Sequence, residues 1–464
     1  MDAHDRAGAL TPTGTLSVIR ERRHNAFTDI VYWRDRWYLV FRAARSHFAD
    51  HSARIVIVRS SDLRTWDHVT ELKVDVHAER TDPGEANPGG YPDPPANRAE
   101  QVDPGEADPA NPDRPGNSPM RGTRQAQADP ANPDRPGNSL TRGTRQAPEV
   151  RDPKFAVVGD TLFLYALLNR SFDPVPYATV WSTSTDGERW RPFRRLPGDW
   201  LVGRPQRWGS ALCAPAHRFG GTGEVALLLS DDGVVWRNHS TIHRGDFAEE
   251  SALAVLPDGA LIAATRAGPD SIRGSREACT ILSRLEPGAR LWVETGRDYS
   301  TRLDGPALFV HAGVVYAVGR TELAVLHSVC MAASSTRYPE TSYAREKSPA
   351  GEESVSVLGA QRITGNPYTI FRTLWRAGPP RIGSAFARKR TALFRVTATS
   401  LAHLCDLPSA GDTGYAGVAL AGNRIAVSYY TTSPGKDCRW IAGMVLPAEV
   451  RVTELVDRLL LKHD

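Results

Sequence analysis

A seven-residue pattern, Ser-x-Asp-x-x-x-Trp, occurs three times in this chain and constrains the fold more than any other feature. The copies occupy residues 60–66, 184–190 and 230–236, and each follows an apolar, β-rich run. The Ser and Asp side chains can bond backbone N–H groups and close a tight turn, while the Trp covers the hairpin with apolar surface. Three copies predict a repeated four-stranded unit and therefore a β-propeller.

The spacing of the three boxes locates an insertion. The second box begins 46 residues before the third but 124 residues after the first. Residues 80–147 account for the excess, and within them the stretch 107–118 is repeated at 128–139. This Pro-, Gly- and Asn-rich segment buries too little apolar surface to offset its ordering entropy, so we predict that it is disordered. A second insert, residues 332–365, has few large apolar residues and is predicted to be a mobile loop. Neither insert is expected to carry chemistry.

Hairpin turns recur along the rest of the chain. Six turn signals, each followed by a strand-like run, predict six blades. They are Arg34-Asp35, Gly159-Asp160, Gly220–Gly223, Asp258-Gly259, Ala312-Gly313 and Gly422-Asn423. We therefore predict an all-β, six-bladed propeller that forms a single domain over residues 15–450. Apolar spacing over residues 448–461 predicts a short helix, so the C-terminal tail, 451–464, is expected to be helical.

Charge, cysteine content and hydropathy argue against several classes of protein. The chain has 57 basic and 53 acidic residues, and its one basic run, residues 388–390, lacks interleaved aromatic residues, so nucleic-acid binding is not expected. Five cysteines without a Cys-x-x-Cys pair indicate neither a zinc site nor a disulfide framework. No apolar run is long enough to span a membrane, and residues 1–14 lack the apolar core of a signal peptide, so we expect a cytoplasmic location. Signatures for phosphate, metal or cofactor binding are also missing, and we expect neither a cofactor nor a metal.

The most informative candidate site lies on one predicted inner hairpin. Glu250 opens its first strand nine residues before Gly259, and Arg266 ends its second strand seven residues after that glycine. Both side chains are therefore predicted to lie at the same end of one blade. This arrangement resembles the sialidase superfamily, in which a Glu and an Arg occupy these offsets.

Two further stretches extend the resemblance over nearly all of the chain outside the inserts. Residues 411–430 resemble the strand that carries the sialidase nucleophile, at Tyr415, and residues 388–394 resemble a strand with a substrate-binding Arg, at Arg390. The stretches 25–29, 151–154 and 411–415 are similar to those of a sub-group described as exo-sialidases or glycosyl hydrolases.

The resemblance implies a particular division of chemistry among these residues. Sialic acid carries a carboxylate on its anomeric carbon, and the guanidinium groups of Arg266 and Arg390 would bind it in a bidentate, charge-assisted way. That carboxylate would repel an anionic nucleophile, whereas a neutral phenol avoids the repulsion. Tyr415 would then be the nucleophile and Glu250 its base, as in the tyrosine-dependent sialidases.

The first blade departs from the family pattern. Sialidases have an Arg on its inner strand, but the corresponding residues 24–30 contain none. Arg42, at the end of the next strand, is a candidate replacement, and Arg320, at the equivalent place in the fifth blade, is another. Two clamping arginines would suit another acidic sugar, or a substrate without a carboxylate.

The general acid has several candidates. In sialidases an Asp occupies the loop after the second strand of the first blade, where this chain has Asp50, and His47 in the same loop is an alternative because its ordinary pKa is near neutral. Asp29, on the inner strand, is predicted to contact substrate hydroxyls. Asp152 is predicted at the mouth of the axial pore, as a substrate-binding residue or a second acid.

Three functions remain open from the sequence. The first is a sialidase-like exo-glycoside hydrolase that cleaves a terminal acidic sugar from a glycan or glycoconjugate. The second is a non-catalytic carbohydrate-binding propeller, and the third is a glycosidase for a different sugar.

Overall fold

The structure is a computed structural model that describes residues 10–48, 50–74, 148–170, 176–218, 223–268, 278–322, 387–432 and 438–457. The chain divides into two units, residues 1–81 together with 146–464, and residues 82–145. The second unit lies outside the described residues. So do the predicted inserts 80–147 and 332–365, and their expected disorder stays a prediction.

The regular secondary structure of the described residues is almost entirely β-strand. The strands are β1 (Leu10–Ile19), β2 (His24–Trp33), β3 (Arg36–Ala44), β4 (Arg54–Ser60), β5 (Asp67–Leu72), β6 (Glu149–Val158), β7 (Thr161–Asn169), β8 (Pro176–Ser184), β9 (Arg194–Arg195), β10 (Leu201–Val202), β11 (Gln206–Trp208), β12 (Ala211–Arg218), β13 (Glu224–Ser230), β14 (Arg237–Arg244), β15 (Ser251–Val255), β16 (Leu261–Ala267), β17 (Cys279–Leu285), β18 (Val293–Asp298), β19 (Asp304–His311), β20 (Val314–Glu322), β21 (Lys389–Val396), β22 (Leu401–Asp406), β23 (Thr413–Ala421), β24 (Arg424–Thr431) and β25 (Glu449–Asp457). One helical turn, α1 (Trp440–Gly443), precedes β25. No helix among the described residues is long and apolar enough to cross a membrane.

Six antiparallel sheets form the six blades of a propeller, as the sequence predicts. Blades 1 and 2 are β2-β3-β4-β5 and β6-β7-β8-β9, and blade 3 has its inner strand in two pieces, β10 and β11, followed by β12-β13-β14. Blades 4 and 5 are β15-β16-β17-β18 and β19-β20-β21-β22. Blade 6 is β23-β24-β25-β1, so the N-terminal strand supplies the outermost strand of the last blade.

Apolar side chains between successive blades hold the ring together. Six buried clusters each join two neighbouring blades, and one of them joins blade 6 to blade 1 through residues such as Val450, Trp37 and Phe41. Each large apolar side chain that becomes fully buried contributes about 1.5–3 kcal/mol. The ring is therefore closed by the same packing that joins every other pair of blades.

The three Ser-x-Asp-x-x-x-Trp boxes form the same turn in blades 1, 2 and 3. Each lies after the third strand of its blade, following β4, β8 and β13. The Ser Oγ accepts a backbone N–H three residues on, at 2.9, 2.8 and 2.9 Å. The Asp Oδ1 accepts two more, at 2.8–2.9 Å, and the Trp Nε1 donates to a carbonyl of the turn at 3.2–3.3 Å. The turn and its capping tryptophan are confirmed.

Five of the six predicted turns join the first to the second strand of a blade, whereas the one at Gly220–Gly223 is spanned by the pairing of β12 with β13, the second and third strands of blade 3. The inner hairpin of blade 3 turns instead between Trp208 and Ala211.

The predicted C-terminal helix is a strand, β25. It pairs with β24 on one side and β1 on the other, so its backbone groups are bonded along both edges. Val450 and Val452 point into the core beside blade 1, and β-branched side chains suit such a pleated surface. Pairing with two neighbouring strands outweighs the helical spacing of the apolar residues.

Candidate active site

Four inner strands share an irregularity at the axial end of the propeller. In blades 1, 2, 5 and 6 the pairing of the first and second strands skips two residues. At each skip the first residue has a positive φ: 56° at Phe27, 50° at Asp152, 55° at Gly305 and 45° at Tyr415. Non-glycine residues adopt this conformation only at an energetic cost, and such strain concentrates at functional sites. The strained positions mark the axial cavity as the candidate site.

Tyr415 and Glu250 meet in this cavity although they lie on blades 6 and 4. The Tyr415 hydroxyl donates a hydrogen bond of 2.5 Å to Glu250 Oε1, and both side chains are partly exposed. The Tyr415 ring lies edge-on to Phe27, with ring centroids 4.8 Å apart. On its other side lies Gly305, where a Cβ would be 2.8 Å from the ring, so only glycine fits. The structure therefore brings the predicted nucleophile and base into direct contact.

The protonation of this pair follows from burial and from the neighbouring charges. Burial raises the pKa of the Tyr415 phenol well above its ordinary value, and the Glu250 charge adds to the effect. Burial works against the charged form of Glu250 too, but Arg266, the hydrogen bond from Tyr415 and Arg320 together outweigh it, and the pKa of this carboxyl is lowered. At neutral pH the proton therefore resides on Tyr415, and Glu250 is an ionised acceptor.

A buried carboxylate, Asp304, lies between the two axial arginines. Arg320 donates to Asp304 Oδ2 from Nε at 3.2 Å and from Nη2 at 3.1 Å. The Arg266 Nε atom lies 3.3 Å from Asp304 Oδ1, and its Nη1 lies 3.2 Å from Glu250 Oε2. The two guanidinium groups are thus joined through one carboxylate of the protein itself.

Two further cations complete the surroundings of Asp304. Arg302 Nε lies 3.0 Å from Oδ1, and Lys389 Nζ lies 3.5 Å from Oδ2. Burial alone would raise the pKa of Asp304, but Arg302, Arg266, Lys389 and Arg320 together hold it well below its ordinary value. Asp304 is therefore ionised at neutral pH.

A second buried carboxylate, Asp412, binds both histidines of the site. Its Oδ2 atom lies 2.6 Å from His47 Nδ1 and 3.0 Å from His24 Nε2. Its Oδ1 accepts hydrogen bonds from Tyr430 at 3.0 Å and Trp440 at 2.7 Å. Burial lowers the pKa of His47 to about 4 despite Asp412, so His47 is neutral at pH 7.

The same three side chains have the donor types of a metal site. The ligand atoms of His24, His47 and Asp412 lie within 4.8 Å of one another, the only such group found among the described residues. His24 Nδ1 is already 2.7 Å from the Leu446 carbonyl, so this nitrogen carries a proton.

Comparisons with known proteins agree with the architecture. No family model and no curated protein matches the sequence. Among solved structures, phage phi92 endosialidase matches with a TM-score of 0.52 at 9% identity, over 96% of this chain and 69% of that chain. Trypanosoma rangeli sialidase in complex with sialic acid matches with a TM-score of 0.50 at 11% identity, over 98% and 60%. A mutant of that sialidase displaying trans-sialidase activity gives 0.50 at 10% identity, over 97% and 60%. The fold is sialidase-like. The chain spans about 60% of the length of the trypanosomal proteins.

The arginines predicted for this sialidase-like propeller occupy different surroundings. Arg266 and Arg320 lie at the axis, as described above. Arg390 donates to the backbone carbonyl of Lys389, and Lys389 is the residue of β21 that reaches Asp304. Because alternate residues of a strand point to opposite faces, Lys389 and not Arg390 takes the axial position on this strand, which corrects the prediction.

Arg42 is buried and serves the loop of blade 1. Its Nη2 atom lies 2.5 Å from Glu149 and also donates to the Phe48 carbonyl at 2.8 Å, and its Nη1 atom donates to the Ser46 carbonyl at 2.8 Å. The Arg42 side chain has no solvent exposure, so it is not available as a substrate clamp. Its bonds instead hold the loop that carries His47.

Two of the candidates for the general acid or for substrate contact, Asp50 and Asp29, make structural hydrogen bonds. Asp50 accepts hydrogen bonds from the backbone N–H and the hydroxyl of Ser52, both at 2.8 Å, so it stabilises its own loop. Asp29 is buried and accepts the N–H of Phe155 at 2.8 Å, which joins blade 1 to blade 2. Neither side chain makes a described contact with Tyr415 or Glu250, and the predicted contact of Asp29 with substrate is corrected to a structural role.

Asp152 has the properties that an acid catalyst requires. It occupies one of the four strained positions, and its Oδ1 is buried with no hydrogen-bond partner among the described residues. Burial raises its pKa to about 6 against the opposing charges of Arg151 and Lys154, and Glu250 adds to the rise.

Sequence reasoning missed Asp304, Asp412, Lys389 and Glu149. Asp304 and Glu149 open inner strands at the axial end, as Glu250 precedes β15, and Asp412 lies directly before β23. Acidic residues at the start of inner strands were the signal that could have found them.

Proposed function

We propose that this propeller is a retaining glycoside hydrolase in which Tyr415 is the nucleophile and Glu250 its general base. The observation that carries the proposal is the 2.5 Å hydrogen bond from the Tyr415 hydroxyl to Glu250 Oε1. A phenol with a raised pKa is a weak nucleophile unless a base removes its proton as it attacks, and Glu250 is ionised and in contact.

The first step forms a glycosyl–tyrosine bond. Tyr415 Oη attacks the anomeric carbon, its proton passes to Glu250, and the bond from the anomeric carbon to the leaving oxygen breaks. Arg320, whose guanidinium carbon lies 5.3 Å from the centre of the Tyr415 ring, stabilises negative charge that develops on the phenol oxygen.

Asp152 is proposed as the general acid. With a pKa raised to about 6 it is protonated below that pH and keeps a minor protonated fraction at pH 7, and this form can give its proton to the leaving oxygen. In the second step water attacks the anomeric carbon, Asp152 takes the proton of that water, and the phenol leaves and recovers its proton from Glu250. His47, fixed by Asp412 and neutral, would accept a hydrogen bond from a sugar hydroxyl.

The solved structures support a glycan as the substrate class. The trypanosomal sialidase of the same fold was solved in complex with sialic acid, which supports a glycan as the ligand of the axial site in this chain. A non-catalytic glycan-binding propeller is the second candidate, favoured by the departure at blade 1, where Arg42 is fully buried and paired with Glu149.

Covalent trapping separates the two candidates. The purified chain is incubated with a panel of 4-nitrophenyl glycosides and of 2-fluoro glycosyl fluorides, and peptides are analysed by mass spectrometry. We expect release of 4-nitrophenol and a glycosyl adduct on Tyr415. Tyr429→Phe, which removes a hydroxyl that bonds the Pro408 carbonyl on the same blade, is the matched control. Equal turnover by Tyr415→Phe and wild type would overturn the proposal, and binding without release or adduct would establish the second candidate.

A further inference from the structure

The cations that a sialidase-like site would offer to a substrate carboxylate are already bound by carboxylates of this chain. Arg266 and Arg320 both face Asp304, and Arg42 faces Glu149 at 2.5 Å. A guanidinium pair binds a carboxylate tightly when its positive charge is not otherwise compensated. Here the positive charge of these arginines is compensated by carboxylates of the protein itself.

Asp304 lies close to Tyr415, the proposed nucleophile. Asp304 immediately precedes Gly305, whose N–H donates to Glu250 Oε2 at 2.6 Å and whose Cα faces the Tyr415 ring. The Asp304 side chain is 2% exposed and lies between Arg266 and Arg320. The backbone that seats the nucleophile thus also places this carboxylate between the two guanidinium groups.

The charges around Asp304 balance. Three of its four cationic neighbours are also joined to other carboxylates: Arg266 lies 3.4 Å from Glu249 and Lys389 lies 2.9 Å from Glu322. Arg320 also lies 3.7 Å from Asp412. These ion pairs leave no surplus of positive charge, so an added anion would meet Asp304 and Glu250 without a compensating cation.

We propose that this site takes a glycoside whose anomeric carbon bears no carboxylate, a neutral sugar, because Asp304 occupies the place between Arg266 and Arg320 that a substrate carboxylate would need. The inference rests on the proposed glycoside hydrolase function for the chemical step and specifies its substrate class. Asp304 is then the specificity-determining residue, because it occupies the carboxylate-binding position between Arg266 and Arg320. Arg320 remains close enough to Tyr415 to stabilise charge on the phenol oxygen.

The test compares matched ligands that differ only in charge. Binding of methyl α-sialoside and of its methyl ester is measured by titration calorimetry, and hydrolysis is measured with 4-methylumbelliferyl sialoside and neutral 4-nitrophenyl glycosides. The variant is Asp304→Asn, which keeps the shape but removes the charge. Asp298→Asn is the control, because Asp298 is also buried but accepts hydrogen bonds from the backbone N–H groups of Ser300, Thr301 and Leu401, where blades 4 and 5 meet.

We expect the wild type to bind the ester at least as tightly as the acid and to hydrolyse a neutral glycoside in preference to the sialoside. Asp304→Asn should raise affinity for the acid relative to the ester about tenfold or more, the worth of one charge-assisted bond, whereas Asp298→Asn should leave that ratio unchanged.

Tighter binding of the acid by the wild type, or faster hydrolysis of the sialoside than of every neutral glycoside, would overturn the inference and leave the glycosidase proposal standing. Absence of all hydrolysis would instead remove the glycosidase proposal, and the acid-to-ester binding ratio would still decide the inference. If neither ligand binds the wild type, gain of acid binding in Asp304→Asn supports it and no gain in a folded variant counts against it. If Asp304→Asn does not fold, the wild-type ratio and hydrolysis rates decide alone.

Discussion

Two sets of aspartates in this propeller have different structural roles. The box aspartates, such as Asp232, accept backbone N–H groups two and three residues on, and they lie at the surface. The axial aspartates, Asp304 and Asp412, bind side chains from other blades and have 2% and 0% exposure. The hydrogen bonds of a box aspartate lie within one heptapeptide, whereas the contacts of an axial aspartate form only after the ring has closed. The box aspartates therefore stabilise single blades, and the axial aspartates build the candidate site.

The largest expected effect concerns the axial nucleophile. Tyr415→Phe removes the attacking oxygen, so kcat on a cleaved glycoside should fall at least about 10⁴-fold, as for removal of other catalytic nucleophiles. Steady-state kinetics on wild type, Tyr415→Phe and Tyr429→Phe measure the effect. The free energy of unfolding should change by less than about 1.5 kcal/mol, because one hydrogen bond is lost. A comparable fall in the Tyr429→Phe control would show that the loss is structural.

The next effect tests the axial ion-pair cluster as a unit. Asp304→Ala leaves Arg320 and its neighbours buried without their shared carboxylate, and loss of one partner of a buried pair costs about 3–5 kcal/mol. Urea unfolding followed by tryptophan fluorescence gives the change in free energy. A loss of only about 1 kcal/mol in the free energy of unfolding would mean that water reaches the ion-pair cluster. The axial aspartates would then resemble the box aspartates at the surface in their energetics.

A pH profile tests the acid at the axis. Asp152 must carry its proton to act as the acid, so kcat/KM should decline above a pKa of about 6 and be retained below it. Asp152→Asn should remove this decline and lower the rate about 10²- to 10⁴-fold for a glycoside with a poor leaving group. The loss should be much smaller with a 4-nitrophenyl leaving group, which needs no proton. An unchanged profile in the variant would assign the acid to another residue, with His47 the next to test.

The smallest effect belongs to the repeated turn. Ser230→Ala removes the hydroxyl that accepts the Gly233 N–H and bonds Asp232 in the buried turn of blade 3. By analogy with helix caps the change should cost about 1 kcal/mol, with activity retained. Thermal unfolding and kinetics on the same preparation check both. Loss of activity without loss of stability would contradict the separation of the two aspartate sets.

Local chemistry explains why the fold was accessible from the sequence. The boxes and five of the six hairpin turns depend on neighbours within a few residues, so a single chain displays them directly. The C-terminal strand was missed because its state depends on β1, which lies more than four hundred residues away in sequence. No local pattern reports such a partner.

The candidate site could be predicted from the sequence only in part, because most of its contacts join residues that are far apart in the chain. Glu250, Arg266 and Tyr415 were found through a family resemblance, and the structure brings them together. Asp304 was not found, because its importance depends on cations from three other strands of the ring. Arg390 was assigned from the resemblance alone, because the sequence does not show which face of β21 is directed toward the axis.

The join between β1 and β25 has a consequence for the order of events in the cell. Tyr415 lies on the innermost strand of the blade that this join completes, so we expect its surroundings to form only after β1 and β25 have paired. During translation β1 stays unpaired along that edge until β25 has emerged from the ribosome.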